Sequence, residues 1–323
     1  MIIVPVVLVI VAITLHVLVK VFAVITLGRC TSKQKLHGKT ALVTGSNRGV
    51  GYYTALDLAS RGARVILTCI NIEDGQKARD KIIARTGNTN VVVKHLDLRY
   101  FKNIRHFAED ILKTEKQLDI LVNNAGALGF DTGPTEDDLP AGMQINHYGP
   151  FLLTNLLLGL LKESSPSRIV NVGSCMCQFS ICFNENNINS SFETLRHATE
   201  YSNSKLCVLL TTFEMSKRLA GTGVTVNCLH PGAVFSQTDR EPKWDILKLF
   251  YYTYGLLYFK NAEEGAQTSI YLAVDEKVTG VTGKYFSDCR VSTPWVKINE
   301  QKLQKVWHQS THNVHLSSEE MYY

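Results

Sequence analysis

The chain has 323 residues, of which 45% are hydrophobic and 20% charged, a composition typical of a folded globular protein rather than a disordered one. Its formal net charge is only +5 and no block of Lys and Arg residues stands out, which argues against a nucleic-acid-binding protein. The 8 cysteines include no CxxC pair and no spacing typical of a zinc site, so we expect reduced thiols and no metal site.

Residues 1–27 predict an N-terminal membrane anchor. The run Met1–Val19 carries no charged side chain and is about as long as a helix must be to cross the hydrocarbon core of a bilayer. Basic residues follow this run, which predicts a single transmembrane helix with the C-terminal body in the cytosol. A cleaved signal peptide, or a hydrophobic hairpin or surface-lying segment, is the alternative. Residues 28–38 are then a basic linker.

Residues 39–310 alternate short β-rich runs with helical stretches. Strands are predicted at Thr40–Thr44, Arg64–Cys69, Val91–Leu96, Leu118–Val122, Arg168–Val172, Val224–Leu229 and Lys284–Phe286. Helices are predicted at Val50–Arg61, Glu73–Thr86, Lys102–Thr114, Glu136–Glu163, Thr199–Ala220 and Ala262–Ala273. This alternation predicts an α/β fold, a single doubly wound Rossmann-type domain whose parallel sheet is covered on both faces. Residues 311–323 are interpreted as a C-terminal tail.

A glycine-rich turn, Thr44–Gly51, follows the first predicted strand. Its glycines let the backbone turn sharply and approach a pyrophosphate closely, and the helix after it directs its N-terminal amides at the phosphates. Because a strand precedes the turn and a helix follows it, the context fits a dinucleotide site. The cofactor-binding residues predicted in this turn are Gly45, Ser46, Asn47, Arg48, Gly49, Val50 and Gly51.

The sequence favours NADP(H) as the cofactor. No acidic residue ends the second strand, where a carboxylate would bind the adenosine 2′-hydroxyl of NAD. Arg48, inside the glycine turn, can instead pair with a 2′-phosphate. Asp97 is predicted to contact the adenine, with a helix N-cap as the alternative role. The further cofactor-binding residues are predicted at the ends of later strands: Leu98, Asn123, Ala125, Gly126, Pro231, Gly232, Val234 and Ser236.

A tyrosine and a lysine four residues apart, Tyr201 and Lys205, lie on one face of the helix predicted at Thr199–Ala220. The pKa of a free tyrosine is about 10, so a neighbouring ammonium is needed to favour the phenolate at neutral pH. Tyr201 is therefore predicted to act as general acid in carbonyl reduction and as general base in alcohol oxidation. Ser174 is predicted to hold the substrate oxygen, and Asn146 a water that links Lys205 to solvent.

These features together resemble the short-chain dehydrogenase/reductase family, over residues 39–307. Several segments are similar to its microsomal retinol dehydrogenase group, at Gln144–His147, Pro166–Val172, Ser204–Leu206, Leu219–Thr225, His230–Gly232, Gly265–Ser269 and Gly283–Cys289. The resemblance implies a membrane anchor in the endoplasmic reticulum, a preference for NADP(H), and activity on retinoids or lipid aldehydes. The chain departs from the group at Ile70, where an arginine is usual after the second strand, and this counts against the preference for NADP(H). It also departs at Phe235–Gln237, and at Cys207 and Val208 beside Lys205, which border the active site, so retinoid specificity does not follow.

Residues 244–259, which precede the last predicted helix, are rich in large apolar and aromatic side chains. We expect them to form a lid over a lipophilic small-molecule substrate; a core helix or the face of a homodimer is the alternative. The predicted function is an NADP(H)-dependent oxidoreductase that interconverts a lipophilic alcohol and its aldehyde or ketone. A nucleotide-binding scaffold or sensor without turnover, and a steroid or keto-lipid reductase, are the alternative functions.

Overall fold

The computed structural model describes residues 25–127, 133–180, 183–191, 196–234 and 259–322, together with single positions among the first 21 residues. The described chain forms an eight-stranded sheet in the order β3-β2-β1-β4-β5-β6-β7-β8. Its strands are β1 Thr40–Val43, β2 Arg64–Cys69, β3 Val91–His95, β4 Ile120–Asn123, β5 Ser167–Val172, β6 Val224–Leu229, β7 Tyr285–Ser287 and β8 Arg290–Ser292. Strands β1 to β7 run parallel, which confirms the predicted doubly wound sheet. Strand β8 was not predicted and runs antiparallel to β7 at the edge.

Helices cover both faces of the sheet. They are α1 Gly49–Ser60, α2 Ile72–Thr86, α3 Phe101–Thr114, α4 Gly149–Glu163, α5 Arg196–Arg218, α6 Ala262–Val274 and α7 Glu300–Asn313. One apolar cluster joins α1, α2 and α6 to the sheet, and the other joins α3, α4, α5 and α7 to its opposite face. Successive strand residues alternate between the two clusters, as the period of two in a strand requires: Ala41 and Val43 belong to one, Leu42 to the other.

The long helix predicted from Glu136 begins five residues later, so its predicted start is wrong. Pro140 is the residue that precedes it, with the extended ψ of 125° from which a helix starts. A short helix, Ala141–Met143, leads into the π-helical turn Gln144–Tyr148, and α4 follows without a break. The π turn contains the candidate site residue Asn146, and such turns are frequent at functional sites.

The packed body extends past the predicted domain end at residue 310. Helix α7 was not predicted, although Asn299 caps it by accepting a hydrogen bond from the amide of Lys302. Its buried side chains include Trp307, which is 1% exposed and meets the ring of Phe151 edge-on at 5.0 Å. Beyond the helix, residues 314 and 316 are buried as well, so part of the predicted C-terminal tail belongs to the core.

Residues 28–38, predicted as a linker, lie against the domain. The amide of Gly28 donates to Asp288 (3.4 Å), the amide of Cys30 donates to Gln267 (3.1 Å), and Leu36 is buried. The predicted anchor, residues 1–27, lies for the most part outside the described residues. Within the part of the chain that the structure describes, no helix combines the length and the hydropathy needed to span a bilayer.

Candidate active site

The candidate residues gather at one edge of the sheet, where the parallel strands end. The chain runs outward from β1 to β3 and returns to the other side of β1 at β4. Such a reversal of strand order opens a crevice at the carboxyl ends of the strands, where ligands bind in doubly wound sheets. The glycine turn follows β1, and the segments beginning at Asn124, Gly173 and His230 follow β4, β5 and β6.

The glycine turn has the backbone that a pyrophosphate site requires. Gly45 and Gly49 have φ angles of 60° and 62°, which glycine adopts without strain. A Cβ atom on Gly51 would lie 2.4 Å from Nδ2 of Asn124 and 2.5 Å from the carbonyl oxygen of Gly45. Helix α1 begins here with no acidic residue in its first turn, and the N-cap residue Arg48 makes no side-chain cap bond. This positive helix end and tight backbone fit the pyrophosphate of a dinucleotide.

Two residues that were not predicted as site residues hold the turn in place. Oγ1 of Thr44 accepts hydrogen bonds from the amides of Asn124 and Ala125, each at 2.9 Å. In return, Nδ2 of Asn124 donates to the carbonyl oxygens of Thr44 (2.9 Å) and Gly45 (3.1 Å). These bonds fasten the glycine turn to the segment after β4. The asparagine pair at the end of a buried strand is the sequence signal for this contact.

The residues predicted to select the cofactor surround the ends of β1 and β2. Arg48 is exposed, and Ile70, which follows β2, is 57% exposed. The residues directly after β2 are Ile70 and Asn71, neither of which carries a carboxylate, and Asn71 caps α2 by accepting from the amide of Asp74 at 3.2 Å. Ser46 is buried, and its hydroxyl donates to Val43 and accepts from the amide of Thr68. Its side chain therefore braces the turn from inside.

Asp97, two residues after β3, is paired with Arg99. Nε of Arg99 lies 3.0 and 3.1 Å from the two carboxylate oxygens, and the Arg99 amide donates to one of them at 3.0 Å. Burial tends to raise the pKa of Asp97, but the bonds from Arg99 outweigh it and hold the pKa below its ordinary value. The alternative role as a helix N-cap is wrong, because Tyr100 precedes α3. Leu98 is buried, with Gly149 beside it.

Residues 123–126 lie between the glycine turn and the candidate catalytic residues. Asn123 points into the layer behind the crevice, where its Nδ2 donates to Thr154 and Asn171, both at 2.8 Å. The backbone of Ala125 passes close to Gly45, where an added Cβ would meet the Ala125 Cα at 2.9 Å. A Cβ on Gly126 would lie 3.0 Å from Oδ1 of Asn146 and 3.2 Å from Nζ of Lys205.

The side chains of Ser174 and Tyr201 lie beside each other, although they come from the segment after β5 and from helix α5. Oγ of Ser174 also accepts from the amide of Met176 at 3.1 Å, which fixes its orientation. Burial raises the pKa of Tyr201, and the neighbouring hydroxyl of Ser174 offsets this only in part. The phenol of the protein alone therefore keeps its proton at neutral pH.

Lys205 lies beneath the tyrosine and is 4% exposed. Its Nζ donates to the carbonyl oxygen of Val172 at 2.8 Å and lies 5.8 Å from the centre of the Tyr201 ring. Burial lowers the pKa of Lys205 to about 8. A lysine with such a pKa can release and take up a proton near neutral pH, unlike a solvated one.

Asn146 lies in the π turn and is 2% exposed. Its side chain binds the backbone of Ala127 at both ends: Nδ2 donates to the carbonyl oxygen at 2.9 Å, and Oδ1 accepts from the amide at 2.8 Å. It thereby holds the segment after β4 in front of Lys205. A cavity of about 20 Å³, lined in part by Asn146, Asn171 and Thr154, adjoins it and is large enough for one water molecule.

The segment after β6 closes the crevice on its other side. Nδ1 of His230 accepts from the amide of Gly232 at 3.1 Å, which shapes the turn at Pro231. Gly232 has a φ of 89°, and a Cβ there would meet the Lys260 side chain at 2.8 Å. Ser236 and residues 244–258 of the predicted lid lie outside the described residues.

The glycine turn and the segment after β6 both contact helix α6 at Gly265. A Cβ on Gly265 would lie 2.6 Å from Cγ2 of Val234 and 3.1 Å from Cγ2 of Val50. Val234, after β6, and Val50, in the glycine turn, therefore approach each other over this glycine. The structure thus brings all the described candidate residues to one edge of the sheet, with Asn123 and Ser46 supporting it from behind.

Comparison with known proteins gives one consistent family. Residues 39–245 match the family described as short chain dehydrogenase. Mouse retinol dehydrogenase 11 is 42% identical over 294 residues, which cover 89% of this chain and 90% of that protein. Human retinol dehydrogenase 13 is 39% identical over 298 residues, covering 91% and 90%. Among solved structures, Pseudomonas aeruginosa RhlG in an NADP active-site complex is 27% identical with a TM-score of 0.62, covering 78% of this chain and 95% of that one.

Proposed function

Since the chain belongs to the short-chain dehydrogenase family and, within it, to the retinol dehydrogenase group, we propose that it interconverts a lipophilic alcohol and its aldehyde or ketone with NADP(H). Membership of the family makes it an oxidoreductase that acts on CH–OH groups with a nicotinamide cofactor. The observation that carries the proposal is the arrangement of Tyr201, which lies beside Ser174 and over the buried Lys205.

The chemistry assigned to these residues follows from their positions. A nicotinamide, when bound, donates or accepts the hydride. Ser174 holds the substrate oxygen beside the Tyr201 hydroxyl, which gives its proton to that oxygen in reduction and takes it back in oxidation. Lys205, whose pKa burial lowers to about 8, restores the proton of the tyrosine. Asn146 fixes the segment in front of Lys205, and the cavity beside Asn146 gives room for one water molecule.

The preference for NADP(H) rests on charge at the end of the glycine turn. Arg48 is exposed there, and the neutral Ile70 follows β2 where NAD-dependent sites use a carboxylate. A guanidinium can form a charge-assisted pair with a 2′-phosphate, which NAD lacks. The complex of RhlG with NADP is an example of the same fold with this cofactor. A KM for NADPH below that for NADH is the expected result.

The proposal of a lipophilic substrate and the proposal of a membrane anchor agree with each other. The retinol dehydrogenases to which the chain is similar are named for a lipophilic alcohol. Gly28 meets Asp288 directly after β7, at the edge of the sheet where the crevice opens. The apolar N-terminal run therefore joins the body close to the site, so a substrate dissolved in the membrane has a short path to it. We accordingly assign the chain to the endoplasmic reticulum membrane, with a single span and the body in the cytosol.

The test is NADPH consumption by the full-length, membrane-expressed protein with retinal, medium-chain aldehydes and ketosteroids. We expect turnover of a lipophilic carbonyl, complete loss of turnover in Tyr201→Phe, and unchanged NADPH binding in that variant. Tyr271→Phe, on α6 away from Ser174, is the matched control and should keep full activity. NADPH binding without turnover of any substrate would refute the proposal in favour of a scaffold or sensor, and turnover of ketosteroids alone would indicate a steroid reductase.

A further inference from the structure

The C-terminal helix α7 is fastened to the π turn that carries Asn146. A hydrogen bond of 2.7 Å joins Nε2 of His147 to Oγ of Ser310, and Nδ2 of Asn313 donates to the hydroxyl of Tyr148 at 2.8 Å. His147 and Tyr148 directly follow Asn146, and both are at most 1% exposed. Helix α7 therefore fixes the orientation of the turn from which Asn146 binds Ala127.

The same helix holds the segment of residues 183–191, which we name the substrate-side loop because it lies in sequence between the Ser174 segment and the Tyr201 helix. Nζ of Lys305 bonds to the side chains of Glu185 (3.1 Å) and Asn186 (2.9 Å). The side chain of Gln309 donates to the carbonyl oxygen of Glu185 at 2.7 Å and accepts from the amide of Ile188 at 3.2 Å. Positions 305, 309 and 313 are one helical turn apart, so the face of α7 that binds the loop also binds Tyr148.

One hydroxyl group belongs to both sets of contacts. The hydroxyl of Tyr148 donates to Oδ1 of Asn189 in the substrate-side loop at 2.7 Å and accepts from Nδ2 of Asn313 in α7. Tyr148 is 0% exposed, so if its hydroxyl is removed, water cannot reach Asn189 and Asn313 there to replace the lost hydrogen bonds. The loop is also tied to the Tyr201 helix, because Nδ2 of Asn203 donates to the carbonyl oxygen of Ser190 at 3.1 Å.

We propose that Tyr148 is a positioning residue: through its hydroxyl, α7 sets the place of the substrate-side loop relative to Asn146 and Tyr201, and thereby the placement of the substrate. The inference rests on the proposed function, since it assigns the loop a part in the same site. The cofactor crevice lies on the other side of Asn146, at the glycine turn. Loosening the loop therefore affects the alcohol or carbonyl substrate and leaves the dinucleotide in place.

The experiment compares Tyr148→Phe, Asn313→Ala and the double variant with wild-type full-length protein. We expect kcat/KM for the lipophilic substrate to fall about tenfold in Tyr148→Phe, the effect of one or two lost buried hydrogen bonds, with the KM for NADPH changed by less than about twofold. Amide hydrogen exchange in residues 183–191 should rise in the same variant. The kcat/KM of the double variant should be no lower than that of the less active single variant, because both substitutions break the same contact.

The matched control is Glu320→Gln, which removes the ion pair of Glu320 with Arg105 and loosens the chain after α7 without touching the loop. It should leave kcat/KM and the exchange of residues 183–191 as in the wild type. Unchanged loop exchange in Tyr148→Phe would overturn the inference, and so would faster exchange with an unchanged kcat/KM. Wild-type protein without turnover on any substrate would instead overturn the proposed function, and the positioning role with it.

Discussion

Replacing Lys205 with methionine should make the protein more stable and inactive. Burial lowers the pKa of this lysine from 10.5 to about 8, so keeping its ammonium charged in the fold costs about 3 kcal/mol at neutral pH. Methionine fills a similar volume without the charge, but leaves the carbonyl oxygen of Val172 without its donor, a loss of about 1 kcal/mol. The free energy of unfolding at pH 7 should therefore rise by about 2 kcal/mol.

The sign of the pH dependence follows from the two pKa values of the lysine. The folded pKa lies below the unfolded one, so the unfolded chain binds the proton more tightly. Wild-type stability is therefore lost as the pH falls from about 10 to about 8 and does not return below that. The advantage of the methionine variant should be largest at pH 7 and should disappear as the pH approaches about 10.

Thermal unfolding of the full-length protein in detergent, without cofactor, measures this effect. At pH 7 the midpoint of Lys205→Met should lie about 4 °C above the wild type, and at pH 10 the two should nearly coincide. Lys77→Met is the control, because the Lys77 side chain is 70% exposed and its removal should leave the midpoint unchanged at both pH values. A midpoint below the wild type at pH 7, or an equal gain at pH 10, would refute the reasoning.

Two further substitutions test the cofactor crevice. Gly51→Ala places a Cβ 2.4 Å from Nδ2 of Asn124, so the affinity for NADPH, measured by NADPH fluorescence, should fall at least about tenfold. Gly133 has open space around it, so Gly133→Ala should leave this affinity unchanged. Equal affinities in the two variants would contradict the tight turn. Arg48→Ala should raise the KM for NADPH about tenfold and leave that for NADH unchanged. A parallel rise in both constants would show that Arg48 does not bind the 2′-phosphate.

The sequence predicted the fold and much of the site because their signals are local. The glycine turn is defined by eight consecutive residues, Thr44–Gly51, and the spacing of Tyr201 and Lys205 places both on one helix face. Helix α7 has a comparable signal, since its apolar residues Leu303, Val306 and Trp307 follow an Asn299 cap. The start of the long helix was placed too early, at Glu136. Proline disfavours the helical conformation of the residue before it, so the helix begins only after Pro140.

What the sequence could not predict are bonds between residues that are far apart along the chain. Thr44 and Asn124 are 80 residues apart, and Tyr148 and Asn313 are 165 apart, so neither pair leaves a pattern within any window of sequence. Both pairs lie behind the residues proposed to do the chemistry and fix their backbone. The identity of the residues proposed to do the chemistry can thus be predicted from local spacing, whereas the orientation of their side chains depends on partners far away in the sequence. Substitutions at such partners should alter turnover or cofactor binding while every local motif stays intact, and Tyr148 is the sharpest example, because a single oxygen atom of its side chain connects three separate elements.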